Sequence, residues 1–378
     1  MFRNFRLACS RRRRYEACED HREGVLVTST VDSFDAIVVG GGQAGLAMGY
    51  HLRRLGLDFV VLDAGSEVGE TWRTRWDSLV LFTPAQYSSL PGMAFPAERD
   101  TYPTKDDVAD YLHSYATAFE LPVHLGSRVT SLAKDNGTYV ARTGSQDYRA
   151  QHVIVATGPF QVPVVPAISS DVDDDVVQVH SSTYRRPEQL PEGRTLVVGG
   201  GNSGFQIAEE LATSRTVDLA IGTKAVRLPQ RFLGRDLFWW LDKIGIYRAA
   251  SDSRLGRRLQ ARPDPVIGSS IRRLRDIGVT FRGRCTRARG RRIGFEDGSE
   301  CEYDAIVWAT GFRSDHSWLK LPGAFDEHGG IVHRRGVSSL PGLYFLGLSW
   351  LHSRGSALLG WVGTDAAHLS EQISVLRR

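Results

Sequence analysis

Residues 35 to 45 read Asp35-Ala36-Ile37-Val38-Val39-Gly40-Gly41-Gly42-Gln43-Ala44-Gly45, an apolar run that leads into a glycine-rich turn. This order predicts a buried strand, a tight turn and a helix that follows at once. In such a turn Gly40 permits the sharp bend, Gly42 lets the backbone approach a pyrophosphate, and Gly45 lets the helix pack on the strand. The stretch therefore predicts a dinucleotide cradle.

An acidic residue completes this motif. The helix is followed by the apolar run Phe59-Val60-Val61-Leu62, and Asp63 stands eighteen residues after Gly45. A carboxylate at about this spacing bonds the ribose hydroxyls of a bound dinucleotide. The strand, the helix and Asp63 together are more specific than the glycine pattern alone.

A second copy of the motif lies in the middle of the chain, with Gly199, Gly201, Asn202, Ser203 and Gly204 in its turn. Two strands that end in Ala-Thr-Gly flank it, and their turns are Ala156-Thr157-Gly158 and Ala309-Thr310-Gly311. The predicted fold class is α/β, with two nested Rossmann-like dinucleotide-binding domains in three layers, the second inserted into the first. Residues from about 300 onward are expected to rejoin the first domain.

The second motif lacks the acidic residue. Eighteen residues after Gly204 the chain has Gly222, followed by Thr223 and Lys224. A carboxylate there would favour a ribose diol, whereas a hydroxyl and an ammonium group favour a 2′-phosphate. The sequence therefore predicts NADPH rather than NADH, with a solvated Lys224 as the alternative.

Three further stretches are informative. Residues 65–92 show neither the apolar periodicity of a helix nor that of a strand, and they include Trp72 and Arg73. This is typical of a ligand-lining loop or of a loop packed by its own side chains. Thr104 and Asp107 have the spacing of a capping box and predict a helix start. Residues 237–247 are an aromatic cluster for which inter-domain packing is the default, with a channel cover, a membrane contact or a subunit contact as alternatives.

The length and charge of the chain limit the classes of protein to which it can belong. At 378 residues the chain is long enough for two domains. Of the net charge of +4, residues 1–23 carry +3, with seven Arg and four Asp or Glu. Residues 1–33 are therefore predicted to be a disordered basic extension without a signal peptide. The sequence has no stripe of basic and aromatic residues, so no nucleic-acid partner is predicted. It also has no run of eighteen apolar residues, so no transmembrane segment is predicted.

The cysteines Cys9, Cys18, Cys285 and Cys301 form neither a CxxC pair nor a zinc pattern, which indicates reduced thiols in a cytoplasmic protein. No metal-ligand cluster, Ser/His/Asp arrangement or pair of catalytic carboxylates stands out. The catalytic residues thus stay unassigned.

Over residues 34–378 the chain resembles the single-component flavin-containing monooxygenases, in a bacterial branch similar to the plant indole-pyruvate monooxygenases. The resemblance rests on the two glycine motifs, Trp72-Arg73 and the two Ala-Thr-Gly turns. Residues His180-Ser181-Ser182-Thr183-Tyr184 match the second half of the family's identifying FxGxxxHxxx(Y/F) stretch, but Asp174 and Val176 replace its Phe and Gly. This departure and the absence of the Trp-Pro ending typical of Baeyer–Villiger enzymes argue against ketone insertion, and a lone His180 is more often structural than catalytic.

The resemblance implies an FAD-binding domain at residues 34–160 and 300–378 and an NADPH-binding domain at residues 161–299. Hydride would pass from NADPH to FAD, and a flavin carbon-4a peroxide would oxygenate a soft N or S nucleophile or a carbonyl compound such as a keto acid. The alternatives are an FAD/NADPH reductase without oxygen insertion and a nucleotide-binding redox sensor. The partners expected are a small substrate and O2, with a homodimer as one option.

The resemblance also implies the cofactor-binding residues. They are Gly40, Gly42, Gln43, Ala44, Gly45, Asp63, Ala64, Trp72, Arg73, Val129, Ala156, Thr157, Gly158, Gly199, Gly201, Asn202, Ser203, Gly204, Thr223, Lys224, Ala309, Thr310, Gly311 and Gly347.

Overall fold

A computed structural model of the chain describes residues 31–375. Within this range the α-helices are α1 Gln43–Arg54, α2 Glu70–Arg73, α3 Lys105–Ala118, α4 Asn202–Leu211, α5 Leu237–Lys243, α6 Arg254–Gln260, α7 Ile271–Asp276 and α8 Val362–Val375. The predicted capping box is confirmed at the start of α3, where Thr104 and Asp107 bond each other's backbone N–H groups. Of the predicted extension at residues 1–33, residues 1–30 lie outside the described range. Residues 31–33 belong to the first strand and not to an extension.

The strands in chain order are β1 Val31–Val39, β2 Phe59–Leu62, β3 Val123–His124, β4 Ser131–Asp135, β5 Thr138–Arg142, β6 Asp147–Val155, β7 Val162–Pro163, β8 Val177–His180, β9 Arg194–Val198, β10 Thr216–Ala220, β11 Arg227–Leu228, β12 Arg231–Phe232, β13 Arg235–Asp236, β14 Val266–Ile267, β15 Thr280–Arg282, β16 Cys285–Arg289, β17 Arg292–Phe295, β18 Glu300–Glu302, β19 Ala305–Trp308, β20 Phe312–Arg313, β21 His333–Arg334, β22 Val337–Ser338 and β23 Leu343–Phe345.

The first sheet has the strand order β21-β22-β23-β6-β1-β2-β3, and β4 and β5 extend from β6. Its central strands β23, β6, β1, β2 and β3 are parallel. Because β1 has β6 on one side and β2 on the other, the first glycine turn leaves the middle of the sheet. Ligands of doubly wound sheets bind at such a point, outside the carboxyl ends of the strands.

The second sheet is entirely parallel, with the strand order β15-β10-β9-β19-β8. The second glycine turn follows β9, which again lies inside the sheet with β10 on one side and β19 on the other. The two sheets therefore present their glycine turns in the same way.

The predicted return to the first domain at about residue 300 is wrong for the strand at that position. Strand β19 pairs with β8 and β9 of the second sheet, in the register Val307↔Val197. The chain returns to the first sheet at Leu319, which forms a bridge with Leu132 of β4, and then contributes β21, β22 and β23 to it, with Tyr344 opposite Ile154. An apolar run of four residues fits either sheet, so its neighbours rather than its sequence decide where it pairs.

Both faces of the parallel strands are buried. Along β1, Ala36 and Val38 belong to one apolar cluster, whereas Ile37 and Val39 belong to the cluster on the opposite face. The first of these clusters also contains Val197 and Val307 of the second sheet, so it runs without a break from one sheet to the other. A sheet covered on both faces is what parallel strands require.

Candidate functional site

The first glycine turn leaves no room for side chains on its inner side. Gly40 has φ +107°, and a Cβ there would lie 2.5 Å from the carbonyl oxygen of Ala156. A Cβ at Gly45 would lie 1.8 Å from the carbonyl oxygen of Gly40. At Gly42, by contrast, a Cβ would meet nothing within 4 Å. The outer side of the turn is therefore open to a ligand that approaches the backbone.

The second glycine turn repeats this geometry. A Cβ at Gly199 would lie 2.1 Å from the carbonyl oxygen of Ala309, and a Cβ at Gly204 would lie 2.0 Å from that of Gly199. Gly201 is open, as Gly42 is. Each Ala-Thr-Gly turn thus packs against one glycine turn, Ala156 against the first and Ala309 against the second.

The helices that follow the two turns begin without a side-chain cap. Neither α1 nor α4 has a capping hydrogen bond or an acidic residue in its first turn. In contrast, α3, α5, α6 and α7 begin at a Thr, Asp or Ser side chain that accepts from the backbone. Free N–H groups and the helix dipole favour an anion, so both turns suit a phosphate group.

Asp63 lies at the end of β2 beside the first turn. Its Oδ2 accepts from the N–H of Gly41 at 2.5 Å, and its Oδ1 accepts from the N–H of Gly65 at 2.7 Å. These bonds fix a half-buried carboxylate at the edge of the cradle. The geometry is suited to bonding a ribose diol.

Other predicted residues surround the first turn. Gly347 has φ +76°, and a Cβ there would lie 2.6 Å from that of Ala44. The side chain of Gln43 donates to the carbonyl of Ala357 at 2.9 Å. Ala64 is exposed beside Asp63, and the half-buried Val129 lies two residues beyond Ser127, whose N–H donates to the Asp63 carbonyl at 2.7 Å.

The end of β10, where the second motif lacks its acid, carries an arginine that the sequence did not reveal. Arg284 Nη2 donates to the carbonyl of Gly222 at 2.8 Å, and a Cβ at Gly222 would lie 3.0 Å from the Arg284 guanidinium carbon. Thr223 and Lys224 are exposed next to it. Arg284 comes here because β15 pairs with β10, which no local pattern predicts.

Asn202 is engaged by the protein itself. Its Nδ2 donates to the carbonyl of Pro265 at 3.1 Å, and its Oδ1 accepts from the N–H of Ile267 at 2.9 Å. The side chain therefore ties β14 to the start of α4, rather than pointing free into the cradle. The neighbouring Ser203 is half-buried.

Arg73 is likewise held by protein groups. Its guanidinium nitrogens lie 2.6 Å from Asp110, 3.3 Å from Asp106 and 3.5 Å from Glu67. The carboxylates raise the pKa of Arg73, the hydrogen bond to Asp110 foremost. Trp72 packs on the apolar core. Arg73 thus fastens the loop to α3, and the cofactor contact expected of Trp72 and Arg73 stays a prediction.

Two crossing segments join the sheets. Strand β7 pairs antiparallel with β20, so the chain leaving the first sheet runs beside the chain leaving the second. The hydroxyl of Thr310 donates to the Val164 carbonyl. Gln161 Nε2 donates to the Thr157 hydroxyl and to the Gly158 carbonyl, both at 2.8 Å. The two Ala-Thr-Gly turns are thereby held together.

His180 lies beside the second Ala-Thr-Gly turn, close to the pairing of β7 with β20. Its Nε2 lies 3.1 Å from the Gly311 carbonyl, and its Nδ1 accepts from the N–H of Ser182 at 3.1 Å. With Nδ1 accepting, the ring proton is on Nε2 and donates to Gly311. Burial lowers the pKa of His180, and the charge of Arg75 lowers it further. A neutral His180 thus links the end of β8 to the second Ala-Thr-Gly turn.

Arg75 is a second residue that the sequence did not reveal. Its guanidinium carbon lies 5.4 Å from the ring centroid of Phe312, next to Gly311. Burial and the nearby Arg185 lower the pKa of Arg75. Among residues 31–375 no carboxylate pairs with either arginine, and the Arg185 guanidinium donates to the Ser182 and Tyr184 carbonyls. Arg75 and Arg185 therefore place positive charge, without a carboxylate partner in the described part of the chain, near the second Ala-Thr-Gly turn.

The aromatic cluster of residues 237–247 divides in two. Phe238 is fully buried and stacks on Phe82 at 5.9 Å and on Tyr247 at 5.3 Å, and its ring lies 6.1 Å from Trp361. Phe82 precedes and Trp361 follows the stretch expected to bind NADPH, so the buried half of the cluster contacts chain segments on both sides of that stretch. Trp239, Trp240 and Ile244 are not in that buried cluster.

Comparisons with known proteins agree with this geometry. The family model for pyridine nucleotide-disulphide oxidoreductases matches residues 37–229. An uncharacterized oxidoreductase, CzcO-like, from Geobacillus kaustophilus is 45% identical over 90% of this chain and 98% of that protein. The solved flavin-containing monooxygenase of Stenotrophomonas maltophilia is 30% identical, with a TM-score of 0.77, over 92% of this chain and all of that one. The chain belongs to the flavin-containing monooxygenase family. A probable indole-3-pyruvate monooxygenase, YUCCA9, of Arabidopsis thaliana is a more distant relative, 28% identical over 89% of this chain and 88% of that protein.

As a member of this family the protein is an oxidoreductase that uses FAD and NADPH. Within residues 31–375 no group of three His, Cys, Asp or Glu side chains could hold a metal ion. In the same range no helix has the length and apolar character needed to cross a bilayer.

Proposed function

We propose that the protein is an NADPH- and FAD-dependent monooxygenase that transfers one oxygen atom of O2 to a small organic substrate. The substrate class is a soft nitrogen or sulfur nucleophile or a carbonyl compound such as a keto acid, and the second oxygen atom leaves as water. The observation that carries the proposal is the pair of open glycine turns, one completed by the carboxylate of Asp63 and the other by Arg284 and Lys224.

The division of the chain follows from the two sheets. We assign FAD to the part that holds the first sheet, residues 34–160 with the C-terminal return, and NADPH to the part inserted between them. The pairing of β19 with β8 and β9 favours a boundary after the second Ala-Thr-Gly turn rather than at residue 300. In this arrangement the NADPH-binding domain is nested within the FAD-binding domain.

The first site is assigned to FAD because its donors and acceptors match that molecule. The open backbone at Gly42 and the uncapped start of α1 suit the pyrophosphate, and Asp63 suits the ribose diol. Gly158 and Gly347, both with positive φ, keep the adjacent turns free of side chains. When bound, FAD supplies the redox chemistry that links NADPH, O2 and the substrate.

The second site is assigned to NADPH by charge. At the end of β10, Arg284 and Lys224 present two cations to a 2′-phosphate, and the carboxylate that would repel it is absent. Since β10 and β19 flank β9, Gly222 would lie on the adenosine side and Ala309 on the nicotinamide side of a dinucleotide held at the start of α4. Arg75 and Arg185 then lie near the nicotinamide end, where they attract the anionic cofactor.

Three glycines test the assignment of the two sites. Gly42, Gly201 and Gly144 all have open space where a Cβ would be, and none has a positive φ, but only the first two belong to a glycine turn. We expect Gly42→Val to abolish FAD binding and Gly201→Val to leave FAD bound while flavin reduction by NADPH is lost. Gly144→Val should behave as the unchanged protein in flavin absorbance and in stopped-flow reduction. Full flavin content in Gly42→Val would contradict the assignment.

Oxygen transfer is tested by product analysis. The purified protein should consume NADPH in the presence of a thioether, amine or keto acid, and label from ¹⁸O2 should appear in the organic product. A protein that reduces quinones but never incorporates label would be the reductase alternative. Flavin binding without turnover of any acceptor would indicate the redox sensor.

A further inference from the structure

The short hairpin formed by β12 and β13 exposes apolar side chains at its tip. Strands β12 and β13 are joined by Leu233 and Gly234, which have φ +48° and +74°. Leu233 is 74% exposed and Phe232 is 55% exposed. A left-handed conformation is unfavourable for leucine, and so is contact of its side chain with water. A two-residue hairpin turn with positive φ at both positions favours Asn or Gly there, so neither the turn nor the core accounts for a leucine at position 233.

Helix α5 extends the exposed apolar area. The Trp240 ring N–H donates to the Phe232 carbonyl at 3.0 Å, and the two ring centroids are 6.3 Å apart. Trp239 lies edge-on to Trp240 at 4.7 Å, and Ile244 at the end of the helix is 63% exposed. We call residues 231–235 with Trp239, Trp240, Lys243 and Ile244 the hairpin surface. On the inner side of this surface, Phe238 of α5 is fully buried and stacks on Phe82.

The charge on the hairpin surface has one sign. Arg235 and Lys243 both lie over the Trp239 ring, at 5.6 Å and 5.9 Å from its centroid. Arg231 donates to the Gly234 carbonyl at 3.3 Å, and among residues 31–375 no carboxylate pairs with these three cations. The hairpin's one acid, Asp236, is buried and accepts from Tyr102, Gln230 and the Phe238 N–H.

The surrounding sequence is strongly basic as well. Residues 224–292 contain nineteen Lys and Arg but only five Asp and Glu, although the whole chain has a net charge of only +4. The positive charge is thus concentrated in the part of the chain that carries the hairpin. Charge complementarity favours an anionic partner. The exposed Phe232, Leu233 and Ile244 and the half-buried Trp239 and Trp240 favour one with an apolar interior.

We propose that the hairpin surface docks on an anionic lipid bilayer. Phe232 and Leu233 enter the boundary between headgroups and acyl chains, Trp239 and Trp240 lie at headgroup level, and Arg231, Arg235 and Lys243 bond lipid phosphates. A nucleic acid would match the charge but not the apolar tip. A second copy of the chain would match the apolar tip but not the uncompensated charge.

The docked orientation has a consequence that rests on the proposed function. Contacts lead from α5 through Phe238 to Trp361, four residues from Ala357, whose carbonyl accepts from Gln43 of the first glycine turn. Docking would therefore bring the FAD end of the molecule close to the bilayer, where apolar substrates dissolve.

The test is co-sedimentation of the full-length, FAD-loaded protein with vesicles. We expect binding to vesicles that mix phosphatidylcholine equally with phosphatidylglycerol, little binding to phosphatidylcholine alone, and weakening by salt. The double variant Phe232→Ser, Leu233→Ser should reduce the partition coefficient roughly ten-fold, and Arg235→Glu, Lys243→Glu should do the same. The matched controls are Leu125→Ser, and Lys320→Glu with Arg334→Glu, which are exposed away from the hairpin surface. They should bind as the unchanged protein does.

Flavin content and NADPH oxidation without vesicles verify that each variant is folded. Undiminished vesicle binding in both hairpin variants would overturn the proposal and point to the basic residues of the first thirty. The proposal would equally fail if the unchanged protein bound single-stranded oligonucleotides but did not bind the anionic vesicles. A dimer in solution that the Phe232→Ser, Leu233→Ser variant dissociates, without vesicle binding, would identify a subunit interface instead. None of these results depends on oxygen transfer, so the proposed function is tested separately.

Discussion

Arg73 and Arg75 are two positions apart and have opposite surroundings. Arg73 is held by three carboxylates, whereas Arg75 has no carboxylate partner among residues 31–375 and lies against the Phe312 ring, beside the second Ala-Thr-Gly turn. A hydrogen bond to a charged group contributes about 1.5–3 kcal/mol. We therefore expect Arg75→Met to raise the KM for NADPH roughly ten-fold. Arg73→Met is the matched control: it should leave that KM unchanged and lower the melting temperature slightly. Equal KM values in the two variants would exclude Arg75 from the NADPH site.

Cofactor choice is a second question at the scale of single residues, because Arg284 and Lys224 meet at Gly222. We expect Arg284→Ala and Lys224→Ala each to weaken NADPH by roughly one to two orders of magnitude and to leave NADH nearly unchanged. In Gly222→Asp the new Cβ would lie 3.0 Å from the Arg284 guanidinium carbon, which brings the carboxylate next to that cation. The carboxylate would neutralise that cation and repel the phosphate, which reverses the preference. Stopped-flow reduction with each nucleotide measures this, and equal losses for both nucleotides would show that neither cation contacts the phosphate.

Three elements of the second sheet meet at one buried carboxylate. Asp218 of β10 has no exposed surface and accepts from Arg194 of β9 at 3.0 Å, from Arg282 of β15 at 2.8 Å and from the Tyr303 hydroxyl at 2.8 Å. Burial and the hydrogen bond to Asp218 raise the pKa of Tyr303, which keeps this donor protonated. The network fixes β15, and β15 in turn positions Arg284.

Removing this carboxylate leaves two cations without a partner. We expect Asp218→Ala to lower the free energy of unfolding by about 3–5 kcal/mol in urea titrations. The exposed pair of Arg287 and Glu300 provides the control, since Glu300→Gln should change the free energy by less than about 1 kcal/mol. Similar small losses in the two variants would mean that the network does not hold the sheet together.

At the scale of the whole molecule, the sequence predicted what is local and missed what depends on pairing. The two glycine turns were predictable because strand, turn and helix are contiguous in the chain. Arg284 was not, because it reaches Gly222 only through strands that are 62 residues apart. The sheet that β19 joins could not be read from its four apolar residues for the same reason. The ion pairs of Arg73 with Asp106 and Asp110 could not be predicted either, because α3 reaches Arg73 only in the folded chain.

Burial of histidines throughout the molecule predicts how stability depends on pH. Burial is the largest cause that lowers the pKa of His51, His180, His316, His333 and His368 below the ordinary value of 6.5. As the pH falls below that value, the unfolded chain binds protons that the folded chain does not, so the free energy of unfolding decreases. His316 is a direct test because its Nδ1 is buried without a partner and its ring packs between Phe325 and Phe345. We expect the melting temperature to fall between about pH 7.5 and 5.5, and His316→Phe to flatten that decrease. A melting temperature that rises on acidification over this range would show that groups of the opposite sign dominate.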